Sequence, residues 1–368
     1  MQLSSAAQLA VTGLLAASLP LAMVWMSSDA NKYRKLVWVT AFLTFDLIVF
    51  GAFTRLTDSG LGCPDWPGCY GAANPFLAHA QISAAEALLP TGPVTVLKAW
   101  IEMIHRFLAM GIGILIIALL GTATLQWRKS RNPVFHPGLP GALFLFVCLQ
   151  GAFGAWTVTM KLQPVIVTTH LLLGMGLLAM LVWLGARQSG VHAEAVPSNL
   201  PALGLASAAI LALQIALGGW VSTNYATLAC TEFPLCGGQL VPEMDFQHGF
   251  TLWRELGKTA AGHYLPFSAL TAIHWVHRNM AFVVFGLLGW TAWRALKVPG
   301  LRRYARLIKV VLLVQLLSGI ATVFLNFPLA IAVLHNAGAA ALVGLVTMLN
   351  YEINAGRHRA SAASNAHP

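Results

Sequence analysis

A chain of 368 residues in which 57% are hydrophobic, only 9% are charged and the mean hydropathy is +0.71 is too poor in charge for a soluble domain, where about a quarter of residues are charged. With each membrane crossing taking about 20 residues, this length holds eight or nine transmembrane helices and no separate soluble domain. The formal charge of +10 does not point to nucleic acid, because the basic residues lie in short connections between apolar runs, where they set topology.

Apolar runs of spanning length fall at residues 7–26, 36–54, 99–126, 140–160, 164–186, 201–223, 268–293, 306–326 and 328–350, which predicts nine helices. No Lys or Arg precedes the first run, whereas Lys32, Arg34 and Lys35 follow it. Lacking a basic leader region, it reads as a retained helix entering from outside and not as a cleaved signal peptide. Threaded from there, fifteen Lys and Arg face the cytoplasm, and only Arg55, Lys98, Lys161, Arg254 and Lys258 lie on the opposite side. This asymmetry predicts a cytoplasmic C-terminus and two long outer loops, residues 55–98 and 224–267. Both loops carry paired cysteines, Cys63 with Cys69 and Cys230 with Cys236, which fits an oxidising compartment. Cys148 sits alone in an apolar run and reads as packing.

The two loops open alike. Cys63-Pro64-Asp65-Trp66-Pro67-Gly68-Cys69 aligns with Cys230-Thr231-Glu232-Phe233-Pro234-Leu235-Cys236, with an acid two residues after the first cysteine, then an aromatic, then proline. Ile101-Glu102-Met103-Ile104-His105-Arg106 is echoed by Ile273-His274-Trp275-Val276-His277-Arg278, keeping the His-Arg pair and exchanging the glutamate for a histidine. Gln150, Gly154 and Thr157-Val158 return as Gln315, Gly319 and Thr322-Val323, and His170 returns as His335. A chain written twice predicts an all-α polytopic membrane protein of two pseudo-twofold four-helix bundles, an eight-helix core, plus one extra N-terminal helix. The expected division is 1–30 for the added helix, 31–190 and 191–352 for the two halves, and 353–368 for a cytoplasmic tail.

Four intramembrane histidines, His105, His170, His277 and His335, lie six to ten residues in from the outer ends of their helices, about 9 to 15 Å at ~1.5 Å per residue. Two facing helices with a histidine at equal depth form a bis-imidazole clamp for a haem held edge-on between apolar walls. The alternative is four core histidines satisfied by their neighbours, against which stand their duplication at one depth and the cost of ionisable groups in a membrane. A zinc site is also conceivable, although no cysteine or carboxylate clusters with all four. Arg106 and Arg278 directly follow a histidine and suit bidentate contacts to haem propionates, or else are topological, snorkelling arginines.

Glu102 stands three residues before His105, one turn outward on the same face. Its slot in the other half is His274. One scaffold with unlike groups beside the ligand points to unlike jobs, with Glu102 marking the half that does chemistry; alternatively, Arg106 or a loop group simply satisfies the carboxylate. The cysteine pairs read either as structural disulfides ordering a lid over each half or as redox-active pairs. His79, His248 and His263 in the outer loops, and His136, His192, His358 and His367 in cytoplasmic segments, read as surface residues.

Taken together, these residues resemble the haem A synthase family. The resemblance covers about residues 36–350 and rests on Glu102-x-x-His105-Arg106, the second His-Arg at His277, the partner histidines His170 and His335, and the run Thr57-Asp58-Ser59-Gly60-Leu61-Gly62-Cys63-Pro64-Asp65-Trp66-Pro67. It implies an oxidoreductase of cytochrome oxidase assembly, in a bacterial inner membrane with periplasmic cysteine loops, that oxidises the C8 methyl of haem O to a formyl group through a hydroxymethyl haem and a gem-diol that loses water. By the same resemblance His105 and His170 ligate the substrate haem, Glu102 is the catalytic carboxylate, and His277 and His335 ligate a haem B that relays electrons. The implied partners are haem O, haem O synthase, oxidase assembly proteins, an unidentified electron donor and the lipid bilayer. Gly111-x-Gly113 and Gly174-x-Gly176 serve close packing within the bundle or in a homo-oligomer equally well. The competing reading is a di-haem membrane cytochrome that only passes electrons, which uses all four histidines but gives no reason for Glu102 against His274.

Overall fold

Apolar runs punctuated by caps and prolines fold as helices throughout the computed structural model, which describes residues 5–190 and 196–364. In chain order the helices are α1 (Ser5–Trp25), α2 (Lys32–Leu56), α3 (His79–Leu88), α4 (Val96–Ser130), α5 (Gly138–Thr159), α6 (Pro164–Arg187), α7 (Leu200–Thr223), α8 (Phe246–Gly249), α9 (Phe267–Ala295), α10 (Arg302–Phe324) and α11 (Leu329–Ser364). The described residues form no strand, only three isolated bridges in loops. Local chemistry sets the ends: the Asn31 side chain accepts the Arg34 N–H ahead of α2, and the Thr95 hydroxyl accepts the Lys98 N–H at 3.2 Å ahead of α4. Arg128 and Lys129 occupy the last turn of α4, where cations complement the helix dipole.

Eight of the described helices are long and apolar enough to cross a membrane, and the chain is a multi-pass membrane protein. The ninth expected span, α9, has 29 residues and therefore the length to cross, about 44 Å. His274, His277, Arg278 and Asn279 dilute its apolar character, so composition alone supports eight spans, not nine. Hydropathy also passes over α3 and the single-turn α8 within the two long loops, because neither is long or apolar enough to register. The run expected to end at residue 350 continues as helix to Ser364.

The chain divides between Leu181 and Val182 into two compact units. In the first, α4 is the hub against which α1, α2, α3 and α5 pack. The α1–α4 crossing is close because glycines face it: a Cβ on Gly13 would lie 2.8 Å from Met110 Cβ, and one on Gly111 would lie 3.1 Å from Ala16 Cβ. Gly174 faces Gln150 and Gly176 faces Phe146, whereas Gly113 faces open space. Three of the four glycines noted in the small-residue spacings therefore serve packing inside this unit. Leu9 of α1 buries itself with Cys63, Cys69, Ala73, Ala78, Ile82, Ala99 and Met103, so α1, the first long loop and the start of α4 share one core. In the second unit α7 packs on α9 and α11, and α10 on α9 and α11. A buried hydroxyl pair, Ser207 with Thr291 at 2.8 Å, joins α7 to α9, and the Asn350 amide donates to the Gly204 carbonyl at 3.0 Å, joining α11 to α7.

Candidate functional site

Each cysteine-bearing loop folds into a small disulfide-closed lid built on a two-residue hairpin. In the first unit Cys69 and Ala72 exchange N–H···O bonds of 2.7 and 3.0 Å across Tyr70 and Gly71, whose φ values of 49° and 73° are the left-handed pair of a type I′ turn. The Asp65 carboxylate accepts both turn N–H groups, at 2.6 and 2.7 Å. In the second unit Cys236 and Gln239 exchange bonds of 2.9 and 3.3 Å across Gly237 and Gly238, and Glu232 accepts the Gly238 N–H at 3.2 Å. The acid two residues after the first cysteine is thus the acceptor that holds the turn. Cys63–Cys69 and Cys230–Cys236 are both bonded, the Trp66–Pro67 and Phe233–Pro234 peptides are both cis, and Cys148 is a free thiol.

The same two helical positions seat each lid. The Cys63 N–H donates to Glu102 Oε2 at 2.8 Å, and the Cys230 N–H donates to His274 Nδ1 at 3.3 Å. One turn further along, Arg106 donates to the carbonyls of Asp65 at 3.0 Å, Pro67 at 3.2 Å and Gly68, and pairs with Glu102 Oε1. Arg278 donates to the carbonyls of Glu232 and, at 2.9 Å, Leu235. Apart from the Arg106–Glu102 pair, the hydrogen bonds of both guanidinium groups therefore go to the lids, and Glu102, only 4% exposed, is engaged on both oxygens. A fork of donors meeting several carbonyls is a task for arginine and not for lysine.

The second lid has further anchors. Trp220 Nε1 donates to the Gly249 carbonyl at 2.9 Å, and the buried Arg254 donates to Asn224 Oδ1; burial holds its guanidinium below its ordinary pKa. Asp245 accepts the His248 backbone N–H at 3.0 Å and lies 2.6 Å from His248 Nδ1, contacts that hold its carboxyl below the usual carboxylate range.

The four histidines stand nine, six, ten and six residues past the first residues of α4, α6, α9 and α11 respectively. Each ring lies against a glycine of a neighbouring helix. A Cβ on Gly51 of α2 would lie 3.0 Å from His105 Cε1, on Gly154 of α5 3.2 Å from His170 Cε1, on Gly218 of α7 3.0 Å from His277 Cε1, and on Gly319 of α10 3.2 Å from His335 Cε1. The missing methyl leaves room for the imidazole, four times over. His105 and His170 lie within electrostatic reach of each other, as do His277 and His335, so each expected pair comes together within its own unit. Among the described residues no three His, Cys, Asp or Glu side chains gather as a protein-only metal site would require. Two imidazoles per unit, with apolar surroundings and no third donor, is the donor set that fits a haem iron.

The pairs differ behind the rings. Nδ1 of His105 is buried without a partner in hydrogen-bonding geometry, and the His170 ring has only the Gln150 backbone carbonyl beside it, as the His335 ring has that of Gln315. His277 Nδ1 instead lies 3.2 Å from Gln214 Nε2, and His335 Nδ1 lies 2.9 Å from Ser318 Oγ. Gly154 and Gly319 were visible in the sequence as a repeated position, but Gly51, Gly218, Gln214 and Ser318 carry no local signal. Their roles depend on which neighbouring helix each faces. Of the remaining histidines, His79, His136 and His263 are exposed and His248 is half-buried against Asp245; His192 and His367 lie outside the described residues, as does the side chain of His358.

A profile of the family described as cytochrome oxidase assembly protein matches residues 34–347. A heme A synthase of Shewanella oneidensis is 37% identical over 336 residues, covering 90% of this chain and 99% of its own. This chain belongs to the haem A synthase family. Other members named heme A synthase include those of Methylobacterium radiotolerans, 32% identical over 342 residues (87% of this chain, 89% of that one), and Rhizorhabdus wittichii, 28% identical over 337 residues (86% and 92%). The family match takes in both lids and all four histidines, and it begins inside α2, leaving α1 outside it.

Proposed function

We propose that this protein is a haem A synthase, an oxidoreductase that converts the C8 methyl of haem O to a formyl group by successive oxidations through a hydroxymethyl haem. The observation that carries this reading is one scaffold built twice, two histidines in glycine-cleared seats beneath a disulfide lid, with Glu102 anchoring one lid and His274 the other. In the N-terminal half, residues 31–190, His105 and His170 hold the substrate haem O. In the C-terminal half, residues 191–352, His277 and His335 would hold haem B, which when bound supplies one-electron transfer.

The residues of the chain set the conditions for the reaction. Apolar helices and the lid keep water from the substrate, which strengthens every electrostatic interaction in the site. Glu102 is the proposed catalytic carboxylate: the Cys63 N–H and Arg106 fix both its oxygens before substrate arrives, and a preorganised anion stabilises positive charge developing at the oxidised carbon and takes up the proton released there. A formyl substituent withdraws electron density from the ring, which raises the iron's potential and suits an oxidase. Arg106 and Arg278, whose hydrogen bonds support the lids, also stand beside the ligands at the distance in sequence that propionate contacts would use. The charge asymmetry of the loops supports a bacterial inner-membrane protein with periplasmic lids and a cytoplasmic C-terminus, receiving haem O from a haem O synthase and delivering product to cytochrome oxidase assembly.

The test is chromatography of haems extracted from cells that make haem O but no haem A, with and without this chain and with its Glu102→Gln and Glu102→Ala variants. Appearance of haem A or its hydroxymethyl precursor with the wild-type chain, and loss or arrest at the alcohol in the variants despite retained haem, is the expected result. Haem B alone, in equal amounts with and without Glu102, would assign the protein to the electron carriers instead.

A further inference from the structure

The two histidine pairs share seats but not support. Counting from the glycine behind each ring, Gln214 stands four residues before Gly218, and the matching residue before Gly51 is Leu47; Ser318 immediately precedes Gly319, and the residue preceding Gly154 is Phe153. The hydrogen-bonding partner of each C-terminal ligand is therefore replaced in the N-terminal half by a side chain with no polar atom. The orphaned Nδ1 of His105 is the direct consequence, and His170 keeps only the Gln150 backbone carbonyl, the counterpart of the Gln315 carbonyl beside His335.

The chemistry of Ser318 shows what is gained. Its hydroxyl donates to the Gln315 carbonyl at 3.2 Å, so its oxygen is the acceptor facing His335 Nδ1 at 2.9 Å. That arrangement places the ring proton on Nδ1 and leaves Nε2 with a lone pair for iron. Gln214 grips the other ring through the same amide nitrogen, 3.2 Å from His277 Nδ1 and 3.1 Å from the His277 carbonyl. Because the His277 carbonyl can only accept, the amide nitrogen stays on that side, and Gln214 holds the ring's position. Outer partners of this kind fix the tautomer and orientation of a metal-binding imidazole and raise its basicity.

We infer that Gln214 and Ser318 are positioning residues that keep the C-terminal histidine pair permanently ligated, and that Leu47 and Phe153 in their places leave the N-terminal pair able to release its haem. The inference rests on the haem-ligand reading above and adds to it which half exchanges and why. A substrate must enter and a product must leave, whereas a relay must stay. The N-terminal imidazoles lack the side-chain partners that hold the C-terminal pair, so release there forfeits less.

The test uses the full-length chain purified in detergent and loaded with haem B, with each half read separately: His277→Ala/His335→Ala leaves only the N-terminal site and His105→Ala/His170→Ala only the C-terminal one. Haem transfer to excess apomyoglobin, followed by the Soret band, is expected to be about 10–100-fold slower from the C-terminal site, the range that outer-partner loss costs in metal affinity. Ser318→Ala and Gln214→Leu should remove most of that difference, and Leu47→Gln/Phe153→Ser should slow release from the N-terminal site. Because a merely structural lesion would also speed release, the reduction potential of the C-terminal haem is read alongside: Ser318→Ala should raise it, as a less basic imidazole stabilises ferric iron less, and Ser318→Thr should restore it. Equal release from the two sites, or wild-type release and potential in both Ser318→Ala and Gln214→Leu, would overturn the inference while leaving the ligands in place. If neither double-histidine variant lowers haem content, the haem-ligand reading itself falls, and this inference with it.

Discussion

The glycines behind the histidines yield a prediction of opposite signs within one bundle. Ordinary carbon–carbon contact is about 3.5–4.0 Å, whereas a Cβ on Gly218 would stand 3.0 Å from His277 Cε1. Gly218→Ala must therefore push the ring back by about 0.5 Å or more, an overpacking cost of about 1–3 kcal/mol set against the gain of about 1 kcal/mol for replacing a mid-helix glycine by alanine. Gly286, on the helix that carries His277, has nothing within 4 Å of its added Cβ, so Gly286→Ala keeps only the gain. The two variants should differ by about 1–3 kcal/mol in thermal unfolding in detergent, Gly218→Ala being the weaker. Ligand geometry tolerates about 0.5 Å of error, so Gly218→Ala should also lose haem per polypeptide while Gly286→Ala keeps it. Equal melting and equal haem content in the two would refute the idea that glycine clears the imidazole's seat.

Arg106→Lys keeps the charge beside Glu102 but should cost about 1.5–3 kcal/mol, the range for a hydrogen bond to a charged group, because an ammonium group cannot reach Glu102 and three lid carbonyls together; protease cutting between Asp65 and Gly71 should rise with it. Cys69→Ser opens a ring whose cysteines are six residues apart, a loss of about 2 kcal/mol on the loop-closure estimate, seen as lid-local hydrogen exchange that reductant does not increase further. Asp245 titrates below the ordinary carboxylate range, chiefly through the His248 N–H, so its hold on α8 is complete above the unfolded pKa of about 4 and is lost as pH falls through the lower folded value. Hydrogen exchange in residues 245–250 should accelerate on acidification in the wild type and become insensitive to acid in Asp245→Asn.

The sequence made some of this legible and hid the rest for physical reasons. Long apolar helices announce themselves because a membrane demands them, so eight of the nine expected spans return as helices apolar enough to cross, with their ends shifted, and the ninth returns as a helix without that character. The histidine pairs were found because the chain repeats them. The run at 268–293 reads as a span by eye, but the cluster His274, His277 and Arg278 dilutes it, and α9 is not among the helices apolar enough to cross. The lid's construction stayed hidden because its partners are remote: Glu102 accepts from an N–H 39 residues away, and Arg106 reaches carbonyls 38 to 41 residues away. Tyr70-Gly71 and Gly237-Gly238 are recognisable turn pairs only once the cysteine ring is seen to need a reversal. Gln214 and Ser318 look like ordinary polar residues of apolar helices until the rings they face are known.

The anchoring of the two lids also bears on how such a protein diverges after duplication. The fold asks of the residue at Glu102 and at His274 only that it accept one N–H from the first lid cysteine, and a carboxylate and an imidazole both do so. The scaffold thus fixes the residue as an acceptor but does not fix its charge. In a chain whose halves repeat one another, this slot is one where a change of ionic character leaves the architecture standing, and where novelty in one half does not require the other to follow.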